Sequence, residues 1–259
     1  MSITPQHEEI DHRTIKLLIG VIALSLAGLT SYFAGGAITS ISASYHVGGW
    51  AQNIFVGFLF AIAAFLLAYN GLSTREMVLS KVAAVAALGV AMFPCKCDNR
   101  QEILPYVHAA SATLLFLILA YFCYIFFRRA RDKAITLANA QANARATIYA
   151  LCGSTIILSI LVIAADALLG GALTAKVTRL VFYAERAALM AFGVSWLVAS
   201  RVLPFLTRAD ERFSPLSSRV QGVSVAETNK PHSKHALLPA RSEITTTQHV
   251  RDLMDQEGI

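Results

Sequence analysis

Thr147–Leu169 reads TIYALCGSTIILSILVIAADALL, a run in which Asp166 is the one charged residue. A helix of this length covers about 34 Å at 1.5 Å per residue, enough to cross roughly 30 Å of hydrocarbon. No water reaches a backbone there, so every peptide group must be satisfied within the segment and the run must be helical. Five further stretches have the same character: residues 14–35, 51–71, 77–94, 105–127 and 179–203. The breaks between them suit the reading. Gly35-Gly36, Asn70-Gly71, Pro94 and Gly170-Gly171 end four of the spans, and Pro204 follows the last. Pro105 suits the first turn of the fourth, where a missing N–H costs nothing.

Composition supports lipid as the solvent. Of 259 residues, 56% are hydrophobic and 15% charged, and the mean hydropathy is +0.56. A soluble domain carries about 25% charged residues. The expected fold is all-α, a polytopic membrane helix bundle with six transmembrane helices. The net charge of +6 does not indicate a nucleic-acid partner, because the basic residues sit in short connections beside apolar runs, where they determine topology. With the N-terminus inside, the inner segments hold Arg13, Lys16, Arg75, Lys81, Arg128, Arg129, Arg131, Lys133, Arg145, Arg201, Arg208 and Arg212. The outer ones hold Lys96, Arg100, Lys176 and Arg179. This bias puts both termini in the cytoplasm. The mixed charges ahead of the first span make it an uncleaved span rather than a signal peptide.

Three regions follow: a cytoplasmic segment at 1–13, the six-helix domain at 14–204, and a polar tail at 205–259 that cannot bury a core and is expected to be disordered. Within the tail, His249–Gln256 has the pattern of a short helix. The Ala-rich stretch Ala134–Ala144 is expected to extend the fourth or fifth helix.

Acidic residues inside spans cost roughly 2.5–3.5 kcal/mol each on insertion scales. Two occur, Asp166 in the fifth span and Glu185 in the sixth. Asp166 lies about one turn from the outer surface and Glu185 about two turns in. His108 opens the fourth span one turn deep, Tyr45 and His46 close the first outer loop, and Asn53 begins the second span. These six reach similar depth, and no comparable group is expected on the inner side. Three readings stand. The residues hydrogen-bond one another and set helix register. His46, His108, Asp166 and Glu185 hold zinc or iron, their ligand types being suitable although no HxxxH or ExxH spacing supports it. Or they line a path for a proton, a small molecule or a lipid head group.

Cys95 and Cys97 form a C-x-C in an outer loop. They read as two incidental loop thiols, with soft-metal binding or oxidation as the alternatives. A disulfide with one residue between them would be strained. Cys123 and Cys152 read as small apolar residues. Ser195 in Phe192-Gly-Val-Ser-Trp196 lacks the second glycine of a nucleophile elbow and reads as a packing serine.

In order, Ser40-Ile-Ser-Ala-Ser-Tyr-His46, Asn53-Ile-Phe-Val-Gly-Phe-Leu-Phe60, Gly89-Val-Ala-Met-Phe-Pro94, His108-Ala-Ala-Ser-Ala112, Ala120-Tyr-Phe-Cys123, Glu185 and Phe192-Gly-Val-Ser-Trp196 resemble a group of bacterial six-helix membrane proteins, distantly like the DRAM/Frag/Sfk type. The resemblance covers about residues 14–203. It implies an inner-membrane bundle and no particular chemistry. A second likeness, to the alkaline ceramidase and adiponectin-receptor hydrolases, is limited to Ser, Asp and His among the spans. Those proteins use seven helices and three zinc-binding histidines, and here a third histidine is missing. The sequence therefore leaves an unassigned membrane activity with an outward-facing polar pocket, a metal-dependent membrane hydrolase and a scaffold side by side. It names no cofactor and no oligomeric state.

Overall fold

The computed structural model describes residues 12–97, 104, 106–208 and 211–213. Pro105, Arg100, most of the N-terminal segment, and the tail from residue 214 with the helix expected at His249–Gln256 lie outside the described residues.

Six long helices dominate: α1 His12–Phe33, α3 Gly49–Ala68, α4 Thr74–Met92, α5 Val107–Thr136, α6 Ala140–Leu168 and α8 Leu180–Ala199. Two short ones, α2 Ser44–Val47 and α7 Ala172–Lys176, sit in connections. No strand occurs among the described residues. Five helices, α1, α3, α5, α6 and α8, are long and apolar enough to cross a membrane. Helix α4 is long enough but carries Arg75, Glu76 and Lys81 in its first two turns.

Each long helix packs against its neighbours so that the order α1, α3, α4, α5, α6, α8 closes a ring, with α8 also touching α5. Between α1 and α8 the contact is glycine on glycine. A Cβ on Gly20 would stand 3.0 Å from the carbonyl oxygen of Gly193, and one on Gly193 would stand 2.7 Å from Cγ of Leu24. Small residues let two backbones approach this closely where no water is available to drive association. Helix α4 uses the same device: Ala83, Ala84, Ala87 and Ala91 are buried.

The packed interior is richest in aromatic rings near the last turns of α8. Trp196 is fully buried, with the rings of Tyr69, Phe192, Phe122 and Phe126 at 5.2, 5.5, 5.7 and 5.9 Å. Ser195 beside it bonds the Phe192 carbonyl at 2.8 Å, the packing role expected of it.

Helix ends follow local chemistry. Ser73 caps α4 by accepting from the Glu76 amide at 3.3 Å and donates its hydroxyl to the Glu76 carboxylate at 2.9 Å. Asn139 caps α6 by accepting from the Ala142 amide at 3.0 Å. The Ala-rich joint expected to extend a helix extends two, because α5 runs to Thr136 and α6 starts at Ala140. Ordered packing also continues past Pro204. A 3-10 turn spans Pro204–Leu206, and the amide of Phe213 donates to the Arg201 carbonyl at 3.0 Å.

Candidate functional sites at the two ends of the bundle

The ends of the bundle differ. One holds the starts of α1, α4 and α6 and the ends of α3, α5 and α8, together with most of the Lys and Arg; it is called the basic end here. The other holds the loop from Ala34 to Gly48.

That loop lies on α8. The Phe182 amide donates to the Thr39 carbonyl at 3.1 Å, and Nε of Arg179 donates to the Ile38 carbonyl at 2.8 Å. Glu185 completes the attachment. Its Oε2 accepts from the Ile41 amide at 2.5 Å and its Oε1 from the Ser42 hydroxyl at 3.2 Å. Ser40, Ile41, Ser42, Ala43 and Ser44 are all buried. Glu185 is thus a clasp for the loop, meeting amide and hydroxyl donors that would otherwise be orphaned.

The other predicted residues are engaged separately. Asp166 is buried and receives the amides of Leu173 and Thr174, both at 2.9 Å, and the Thr174 hydroxyl, which together start α7. Nε2 of His46 is 2.8 Å from the Cys95 carbonyl oxygen, and Nδ1 of the buried His108 is 2.7 Å from that of Phe93. A carbonyl only accepts, so each of these ring nitrogens carries a proton and donates. The half-buried Tyr45 packs on the core beside His46, and Asn53 is exposed in the second turn of α3. Among the described residues no three His, Cys, Asp or Glu side chains stand close enough to hold a metal ion. Both imidazoles serve the 93–95 segment, and both carboxylates serve connections.

Cys95 and Cys97 are joined by a disulfide, with 5.2 Å between their Cα atoms. This corrects the expectation of two incidental thiols.

The expectation of no polar group at the inner side is also corrected. Four helices and two connections bring charge together at the basic end. Glu76 is 1% exposed. It takes both terminal nitrogens of Arg129 on α5, the Ser73 hydroxyl at 2.9 Å and the Leu72 amide at 3.3 Å. Glu211 takes Lys133 at 2.6 Å and Arg201 at 2.6 Å, with Arg145 at 3.6 Å, while its carbonyl takes Arg13 at 3.3 Å. One carboxylate therefore ties α5, α6 and the end of α8 together. Partial burial pushes the Glu211 carboxyl up, but the Lys133 hydrogen bond and the Arg201, Lys133 and Arg145 charges outweigh it and hold the group below the usual glutamate range.

Lys16 of α1 reaches into this region between rings, with Nζ 5.5 Å from the Tyr69 ring centre and 5.3 Å from that of Phe126. Arg13, Arg129 and Arg201 all lie within electrostatic reach of it, as does Glu76. Arg145 is fully buried. Its Nη1 donates to the Leu206 carbonyl at 2.5 Å, while its Nε and Nη2 have no hydrogen-bond partner. Trp196 Nε1, the Tyr69 hydroxyl, Asn139 Nδ2 and the Thr207 hydroxyl are also buried without one. Among the described residues, six cations, Arg13, Lys16, Arg129, Lys133, Arg145 and Arg201, thus face two carboxylates, Glu76 and Glu211, and most of the unmet buried groups are donors.

An all-helical integral membrane protein with a cationic, donor-rich end is the class that this fold and these sites define. The chain matches no protein-family model, no curated protein and no solved structure.

Proposed function

We propose that this chain is a six-span, multi-pass protein of the bacterial inner membrane that binds a phosphate-class oxyanion at its basic end. Helix α4 is the sixth span. Its charges lie at one end: Arg75 is exposed, Glu76 is met by Arg129, and Lys81 by the Leu67 carbonyl, the Tyr69 carbonyl at 3.3 Å and Asn70 at 3.1 Å, which together close the end of α3. The positive-inside bias then puts the basic end in the cytoplasm.

One observation carries the ligand class. Arg145 is fully buried, its Nε has no hydrogen-bond partner and its Nη2 has only the Glu211 carboxylate at 3.6 Å, beyond hydrogen-bond length, at an end where cations outnumber carboxylates among the described residues. Leaving a buried donor unmet costs about 1–3 kcal/mol, more for a charged one. A group that offers several acceptor oxygens and negative charge relieves both costs, and a planar guanidinium matches the edge of a phosphate. The opposite end is a clasped, loop-holding surface in this reading.

Inorganic pyrophosphate supplies the shared chemistry of a lipid phosphate and a soluble one. Calorimetric titration at constant ionic strength should show saturable binding to the detergent-purified wild type and none to an Arg145→Gln variant that keeps its helical melting transition. No heat in the wild type, or equal heat in both, would overturn the assignment. Nanodiscs of phosphatidic acid against phosphatidylcholine separate the sources: stabilisation by the first alone assigns a lipid head group, and no difference between them assigns a soluble phosphate.

A further inference from the structure

We infer that Cys95–Cys97 is an exchangeable disulfide that accepts electrons from the dithiol of a peptide or protein at the end of the bundle opposite the cationic cluster. The two cysteines are separated by one residue. A crosslink over so short a loop removes little freedom from the unfolded chain, so it contributes little as a staple. Its surroundings suit exchange instead. Cys95 is 6% exposed, while Cys97 is half-buried beside the exposed Lys96. The sulfur open to an incoming thiolate is therefore that of Cys97.

Ser40 is aimed at that same sulfur. Its Oγ accepts from the Ala43 amide at 2.9 Å and lies 3.4 Å from Cys97 Sγ. With its oxygen already accepting, its hydroxyl proton is free to point at the sulfur, where it stabilises a Cys97 thiolate. The site is held from both sides. His46 donates to the Cys95 carbonyl, and Glu185 fixes the loop that carries Ser40.

The chemistry balances within the two reactants. A substrate thiolate attacks Cys97 Sγ, the Cys95–Cys97 bond breaks, and Cys95 leaves as a thiolate that takes a proton. The second substrate thiol, losing its proton, attacks the substrate sulfur of the mixed disulfide and releases Cys97. Two electrons pass from the substrate dithiol, which becomes a disulfide, to the Cys95–Cys97 pair, which becomes two thiols. The inference stands independently of the anion site; only the compartment that supplies the dithiol follows from the orientation proposed above.

The test uses the full chain in detergent and a reduced peptide with two cysteines. Mass spectrometry should find about one peptide disulfide per protein, set by the single exchange. New maleimide labels should appear at Cys95 and Cys97 and not at the buried Cys123 and Cys152. With an oxidised peptide, Cys95→Ser should trap a mixed disulfide at Cys97 at least about tenfold faster than Cys97→Ser traps one at Cys95, as access dictates. Ser40→Ala should slow the trapping in the Cys95→Ser background, and Ser40→Thr should restore it. A protein that oxidises no peptide, or equal trapping at the two cysteines, would overturn the inference.

Discussion

Glu211→Gln tests whether the segment after α8 is latched to the bundle. Gln keeps the shape and one acceptor oxygen but loses the charge that Lys133, Arg201 and Arg145 share. Two charge-assisted hydrogen bonds are lost or weakened, each nominally about 1.5–3 kcal/mol. The Lys133 and Arg201 side chains are 21% and 27% exposed, so solvent screens both, and about 1 kcal/mol each is the better figure. The sum, about 2 kcal/mol, corresponds to a roughly thirtyfold rise in local opening. Trypsin reads this directly, because opening breaks the hydrogen bond from the Phe213 amide to the Arg201 carbonyl that holds the bond after the exposed Arg212. Cleavage at Arg212, followed by mass spectrometry, should quicken about thirtyfold in the variant, by the same conversion. The difference should hold steady from about pH 6 to 8. The folded carboxyl lies below its unfolded value of about 4.3, so the latch is fully present above that value and is lost as pH falls through the folded one. Equal cleavage rates in the two proteins would refute the latch.

Gly71→Ala should unseat the Glu76–Arg129 pair. Gly71 has φ +66°, and a Cβ there would lie 2.9 Å from Glu76 Oε2; strain and overlap together should cost about 2 kcal/mol or more in a detergent melting assay. Ala138→Gly should stabilise by about 0.5–1 kcal/mol in the same assay. Ala138 sits at φ +46° in the joint between α5 and α6, where glycine removes the Cβ penalty at some cost in unfolded-state entropy. Asp166→Ala should cost about 1–2 kcal/mol and raise hydrogen exchange at Leu173 and Thr174; unchanged exchange there would refute the capping role.

Hydropathy made the helices legible because lipid leaves the backbone no alternative to internal hydrogen bonds. The runs 51–71 and 179–203 correspond to Gly49–Ala68 and Leu180–Ala199 within a few residues. The sites were harder to read. Asp166 and Glu185 were found because a carboxylate in an apolar run is costly. What each one satisfies depended on where the following loop and the loop from Ala34 to Gly48 fold back, which no local pattern encodes. Glu76 and Arg145 stand at helix ends, where charge is ordinary and reads as topology. Their burial depends on residues 204–208 and 211–213 and on the α3–α4 connection. The caps at that end, Ser73 before α4 and Asn139 before α6, mark helix starts rather than a binding site. Cys95 and Cys97 were visible as a motif, but only the loop geometry joins them and sets Ser40 beside the second sulfur.

Pyrophosphate titration of Glu211→Gln beside the wild type and Arg145→Gln tests the anion site most directly. Glu211 already occupies the cations as an intramolecular carboxylate. If those cations form the binding site, removing its charge should tighten binding by about tenfold, the equivalent of 1.4 kcal/mol, while Arg145→Gln abolishes it. Weaker or unchanged binding in Glu211→Gln would contradict an oxyanion site at the basic end and leave the cluster as a purely structural clamp.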